Sequence, residues 1–224
     1  MSTTIRPFTQ FIGNWITIFV IPLMMIIVGI RVIREYRRTN EINFVRLIIF
    51  FIFIAFTWAI VPTNLSEVPP FNTVIQQEVI GFSEEIINPY SIALGLMVSF
   101  CLVMIFYINQ WNSILFTPLF IYGGLLISFL VTGFNPFYNL LNMVYIYITA
   151  IFGITFFYIT GFRVRDNGSL GLGVLFTIAF ASLAFGENII GDIFTMLIAI
   201  FGLAFSLGFF APFKNIEEEI ETND

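Results

Sequence analysis

The sequence contains no histidine. Imidazole is therefore excluded as an acid, a base, a haem ligand or a metal ligand. Cysteine is almost as scarce: Cys101 stands alone, so an intrachain disulfide and any CxxC-type metal or redox site are excluded as well. Its neighbours Phe100, Leu102 and Val103 mark it as a small buried hydrophobe. Charge is sparse too, at 10% of residues, where soluble domains carry roughly 25%. No P-loop, GxGxxG or HExxH pattern occurs. The formal net charge of −5 argues against a nucleic-acid partner. These gaps lead us to expect no catalytic residues, no cofactor and no metal.

What is abundant is hydrocarbon. Apolar residues make up 58% of the 224, and 30 are Phe. That composition excludes a soluble globular domain, and it excludes disorder, which needs low hydrophobicity and high charge. A spanning helix needs about 20 mostly apolar residues. Seven stretches approach that length: 8–30, 47–62, 92–108, 114–132, 140–162, 170–186 and 193–211. The second is short and is expected to extend backward past Arg46. The first is too long for a signal-peptide core, lacks a small-x-small cleavage site and is followed by arginines, so it reads as a mature helix.

The spacer 109–113 between the third and fourth stretches is short and uncharged. Charge bias decides whether the chain turns there. With seven spans, Arg31, Arg34, Arg37, Arg38, Arg46, Arg163, Arg165 and Lys214 share one side, and only Arg6 lies on the other. Merging spans three and four would abolish that bias. The positive-inside rule therefore predicts an outer N-terminus and an inner C-terminus. The expected fold is an all-α membrane protein: a seven-transmembrane-helix up-and-down bundle, one integral membrane domain over 1–224, multi-pass in the cell membrane.

The long outer loop, 63–90, places Phe71, Val74, Ile75, Val79, Phe82 and Ile86 at helical spacing, with Glu78, Glu84 and Glu85 on the other face. It predicts an amphipathic helix between spans two and three, either a lid on the bundle or a ligand-facing cap. The inner loop 31–46 is a basic topology anchor, able to attract anionic lipid by about 1 kcal/mol per charge. The acidic tail 214–224 reads as a solvated extension of the last helix.

Polar residues within the spans are the candidates for function. No Asp, Glu, Lys or Arg lies near the middle of a span, which argues against ion or proton pathways. In span five, Tyr138, Asn142, Tyr145 and Thr149 step by 4, 3 and 4, so they share one helix face. That face should turn toward protein, where its groups either bond between helices or line a small-molecule pocket. Glu187 and Asp192 flank an outer turn. They serve either as turn and helix-cap residues or as an outer cation or ligand site, which makes them, like Asn142, Tyr145 and Thr149, candidate ligand contacts. Gly173, Thr177, Ala181 and Ala184 in span six, and Ala204 and Gly208 in span seven, predict close helix approach. Pro22 and Pro118 predict kinks in spans one and four.

The run 202–214, GLAFSLGFFAPFK, is aromatic-rich and ends in Pro and a basic residue. With seven spans and an inner C-terminus, it resembles the seven-helix membrane sensor modules that precede archaeal and bacterial histidine kinases. Microbial rhodopsins share the span number but need a lysine near the middle of helix seven. Here Lys214 lies beyond Pro212, which excludes a retinal Schiff base. The resemblance implies a receptor-like module. No output domain follows within the sequence, so signalling is expected to pass through a membrane or cytoplasmic partner. A transporter or channel subunit and a structural or assembly protein are the alternatives.

Overall fold

A computed structural model describes residues 5–65, 89–132, 136–165, 167–185 and 189–208. They form seven α-helices: α1 Ile5–Thr39, α2 Phe44–Leu65, α3 Pro89–Ile108, α4 Thr117–Thr132, α5 Pro136–Val164, α6 Asn167–Phe185 and α7 Ile189–Leu207. A 3₁₀ turn, Asn112–Ile114, precedes α4. No strand occurs among the described residues. Among the described residues, five stretches are long and apolar enough to cross a membrane: Phe11–Thr39, Ser91–Ile108, Asn112–Thr132, Leu140–Val164 and Ile189–Leu207. The apolar stretches Phe44–Trp58 in α2 and Asn167–Ser182 in α6 are shorter.

Helix ends follow local chemistry rather than hydropathy. The expected inner loop 31–46 is mostly helix: α1 continues through its arginines to Thr39, because an exposed backbone ladder needs no apolar side chains. At 1.5 Å per residue its 35 residues reach about 50 Å, well beyond the ~30 Å hydrocarbon layer. Asn40 then stops it in the left-handed region at φ 57°, with its N–H bonded to the Tyr36 carbonyl. Helix α2 starts soon after, where the Arg46 N–H donates to Asn43 Oδ1 at 3.2 Å, an N-cap. Gln110, Arg165 and Gly208 also adopt positive φ, closing α3, α5 and α7. Pro118 occupies the first turn of α4 instead of its interior, so it starts that helix and does not kink it. Pro22 does lie inside α1.

The helices pack as a ring. In order around it, α1, α2, α3, α5, α6 and α7 each touch the next, and α7 closes back onto α1. Helix α4 stands outside, against α3 with a lighter contact to α5. One apolar cluster fills the ring, from Met24 and Ile52 through Met97 and Met104 to Phe157, Leu175 and Ile198. Close approaches fix the seams. A Cβ on Gly202 would come 2.7 Å from Met24 Sδ, and one on Gly161 would come 2.6 Å from Leu170. Gly173 lies against Phe157 and Tyr158, while Thr177 bonds Tyr158 at 3.1 Å, so these two residues of the predicted small-residue face of α6 pack on α5. The predicted outer amphipathic helix, 71–86, and the tail 214–224 lie outside the described residues.

Candidate functional site

The site is built on the inward stripe of α5. Residues 142, 146, 149, 153 and 157 recur every three or four positions, and all five are buried. This spacing puts one continuous stripe against the interior. It begins with Asn142, which has no exposed surface at all. Neither its amide nitrogen nor its amide oxygen has a hydrogen-bond partner among the described residues. Buried polar groups are nearly always satisfied, and each one left unpaired costs about 1–3 kcal/mol.

Tyr145 turns slightly aside from this stripe, toward α3 and α4. Its phenol donates to the Pro118 carbonyl at 2.9 Å and lies 2.8 Å from Ser99 Oγ. Its ring stacks on Tyr122, with centroids 5.2 Å apart. Tyr122 in turn fills the space left by Gly95 and donates to the Ser91 and Ile92 carbonyls at 3.3 and 3.2 Å. Tyr145 is thus a structural tie among three helices. Further in, Asn109 Nδ2 donates to Thr160 Oγ1 at 2.9 Å and links α3 to α5 again.

Thr149 lines a cavity of about 50 Å³ between α3, α5 and α6. Met97, Cys101, Gly153, Phe157 and Phe176 form much of its wall. Among the described residues, nothing lies within 4 Å of where a Gly153 side chain would begin, so that glycine helps create the space. A second cavity, about 30 Å³, reaches toward α1, α2 and α7 past Met24, Phe53 and Gly202. The two share Met97, Phe176 and Ala179, which form the partition between them. The first opens beside Tyr147, which is 50% exposed, and Phe180, whose ring meets that of Tyr147 edge-on at 6.2 Å. Among the described residues, no charged side chain lines either cavity. The wall is mainly hydrocarbon, and its polar side-chain groups are the Thr149 and Tyr147 hydroxyls and the Cys101 thiol.

The structure therefore gathers Asn142, Tyr145 and Thr149 inside the bundle but in different settings: Asn142 without a partner among the described residues, Tyr145 tied to α3 and α4, and Thr149 on the cavity wall. Asp192 lies in the first turn of α7, where its charge suits the helix dipole. Helix α7 packs on α1 and α6, so Asp192 does not join the α5 stripe. Near it, Ser182 and Thr195 bond at 2.8 Å across α6 and α7. Glu187 lies outside the described residues. Sequence reasoning missed Met97, Gly153 and Phe176, because in an apolar span a cavity wall has the same composition as a packed core. Comparison of the chain with protein-family models, with curated proteins and with solved structures returns no match.

Proposed function

We propose that the chain is a receptor-like seven-span membrane protein that binds an apolar ligand within the bundle and acts through a partner. The observation that carries this reading is the pair of adjoining apolar cavities inside a closed helix ring. Hydrocarbon walls suit recognition of an apolar molecule, whereas a solute pathway needs polar or ionisable groups that replace water.

Seven spans are supported by length and connection. Helices α2 and α6 have 22 and 19 residues, about 33 and 28 Å at 1.5 Å per residue, close to a hydrocarbon layer. Each lies between two apolar neighbours of spanning length, and short connections such as 40–43 return the chain along the helix just completed. The charge bias supports an outer N-terminus and a cytoplasmic C-terminus in the cell membrane. Site chemistry supports binding without catalysis, since the cavity wall is mainly hydrocarbon.

Flux through proteoliposomes tests the assignment. A receptor of this kind should leave proton, sodium and potassium leakage equal to that of protein-free vesicles. Leakage clearly above that baseline would move the protein to the transporter or channel class.

A further inference from the structure

The ligand's chemistry follows from three features of the site, and the inference rests on the receptor reading while naming its ligand class. First, the cavity is small. At about 50 Å³ it falls well below the ~300 Å³ of sites for drug-sized molecules, so it encloses only a few methylenes of a slim chain and leaves the rest to its opening. Met97 divides it from the second cavity, and an unbranched thioether is an adaptable partition. A linear chain has room to continue inward there.

Second, access is lateral. Tyr147 lies on the cavity wall and is also half exposed on the outer face of α5, beside neighbours Val144, Ile148 and Ile151 that are exposed and apolar. An opening in such a face admits molecules already dissolved in the bilayer.

Third, the polar head is neutral. Ile146 lines the cavity, and Asn142 lies one turn outward from it on the same buried stripe, behind the cavity wall. Its amide offers both a donor and an acceptor, and both lack partners among the described residues. A hydroxyl satisfies either. Arg163 and Arg165 stand at the opposite end of α5, more than 20 residues and so about 30 Å away. An ionised head beside Asn142 would have no described basic side chain on α5 near it.

We propose that the α3–α5–α6 cavity binds a neutral single-chain lipid with a hydroxyl head, its chain between Met97, Gly153 and Phe176 and its hydroxyl on the Asn142 amide.

Photolabelling tests this on the full chain in nanodiscs. The probe is tetradecanol with a mid-chain diazirine, and mass spectrometry maps the adducts. Adducts are expected on Met97, Cys101 or Tyr147. Unlabelled tetradecanol should compete about 2–10-fold better than tetradecane, the range for one added neutral hydrogen bond. It should also compete better than tetradecanoate ionised at high pH. Asn142→Leu should keep the adducts but erase the preference for alcohol over alkane. Gly153→Leu should remove the adducts by filling the cavity, with folding verified by circular dichroism and size-exclusion chromatography.

Labelling spread over lipid-facing residues such as Phe120 and Leu130, and unchanged in folded Gly153→Leu, would overturn the site. An alcohol preference that survives Asn142→Leu would overturn the assigned head contact. Binding is read here without any output. A chain that binds tetradecanol as described but leaks ions retains this site and loses only the receptor reading.

Discussion

Three small changes along the chain probe opposite physical effects. Asn142 is fully buried with both amide atoms unpartnered among the described residues. Replacing it with Leu, which has a similar shape, removes two desolvated groups. Asn142→Leu should therefore raise stability by roughly 1 kcal/mol, read as a higher midpoint in detergent-induced unfolding. A fall in that midpoint would mean that the amide has a bonding partner. The two glycines beside the site should diverge. A Cβ added at Gly153 would meet no described atom within 4 Å, so Gly153→Ala should add about 1 kcal/mol through helix propensity. At Gly95 the same carbon would lie 2.1 Å from the Tyr122 ring, which is fully buried. Gly95→Ala should cost about 1–3 kcal/mol by overpacking. The same unfolding series checks both, and a reversed order of the two alanine variants would contradict the packing described.

Among the elements, α4 depends most on a few anchors. Its buried residues are Pro118, Tyr122 and Phe129, while Phe120, Leu130 and Val131 are each nearly four-fifths exposed. Tyr122→Ala removes the ring seated at Gly95, its two carbonyl bonds and the stack on Tyr145. Amide hydrogen exchange in nanodiscs should then quicken across α4 and remain unchanged in α2 and α7. Uniform quickening would show that α4 is integral to the ring. At the other end of the bundle, the Arg31 guanidinium donates to the Leu207 carbonyl, where Gly208 turns the chain at φ 88°. Arg31→Met should speed exchange at the end of α7, whereas the partly exposed Glu35–Arg46 pair should contribute less than about 1 kcal/mol. These elements also show what the sequence discloses. Apolar stretches locate the seven helices, since a long hydrocarbon run has few other solutions. They do not locate the ends, because Asn40 and Asn43 stop and start helices through backbone geometry and capping, to which hydropathy is blind. The α5 stripe was legible from its polar residues at helical spacing. The cavity beside it was not, because Met97 and Phe176 look like any core residue until their neighbours in other helices are known.

At the scale of the molecule, the ring explains why α4 is peripheral and the path of the chain explains the direction of each helix. Helices α3 and α5 are ring neighbours although α4 separates them in sequence, so the chain leaves the ring and returns across α4. If α4 crosses the bilayer, α3 and α5 run in the same direction, and the turn at Asn112 lies on the side opposite the loop before α3. The proposed orientation rests on charge: if all seven helices span, eight of the nine basic residues fall on one side, the expected inner one. The arrangement predicts a labelling pattern for single cysteines placed in a Cys101→Ala background. Glu84→Cys should react with an impermeant maleimide on intact cells. Tyr36→Cys and Asn112→Cys should react only after permeabilisation. Tyr36 is 47% exposed and Asn112 is exposed as well, so burial does not mask them. If Asn112→Cys reacts on intact cells while Tyr36→Cys does not, the turn before α4 faces outward and the inner face loses its excess of basic residues. If Glu84→Cys and Tyr36→Cys react from the same side, α2 does not cross, and the ring cannot be a set of alternating spans.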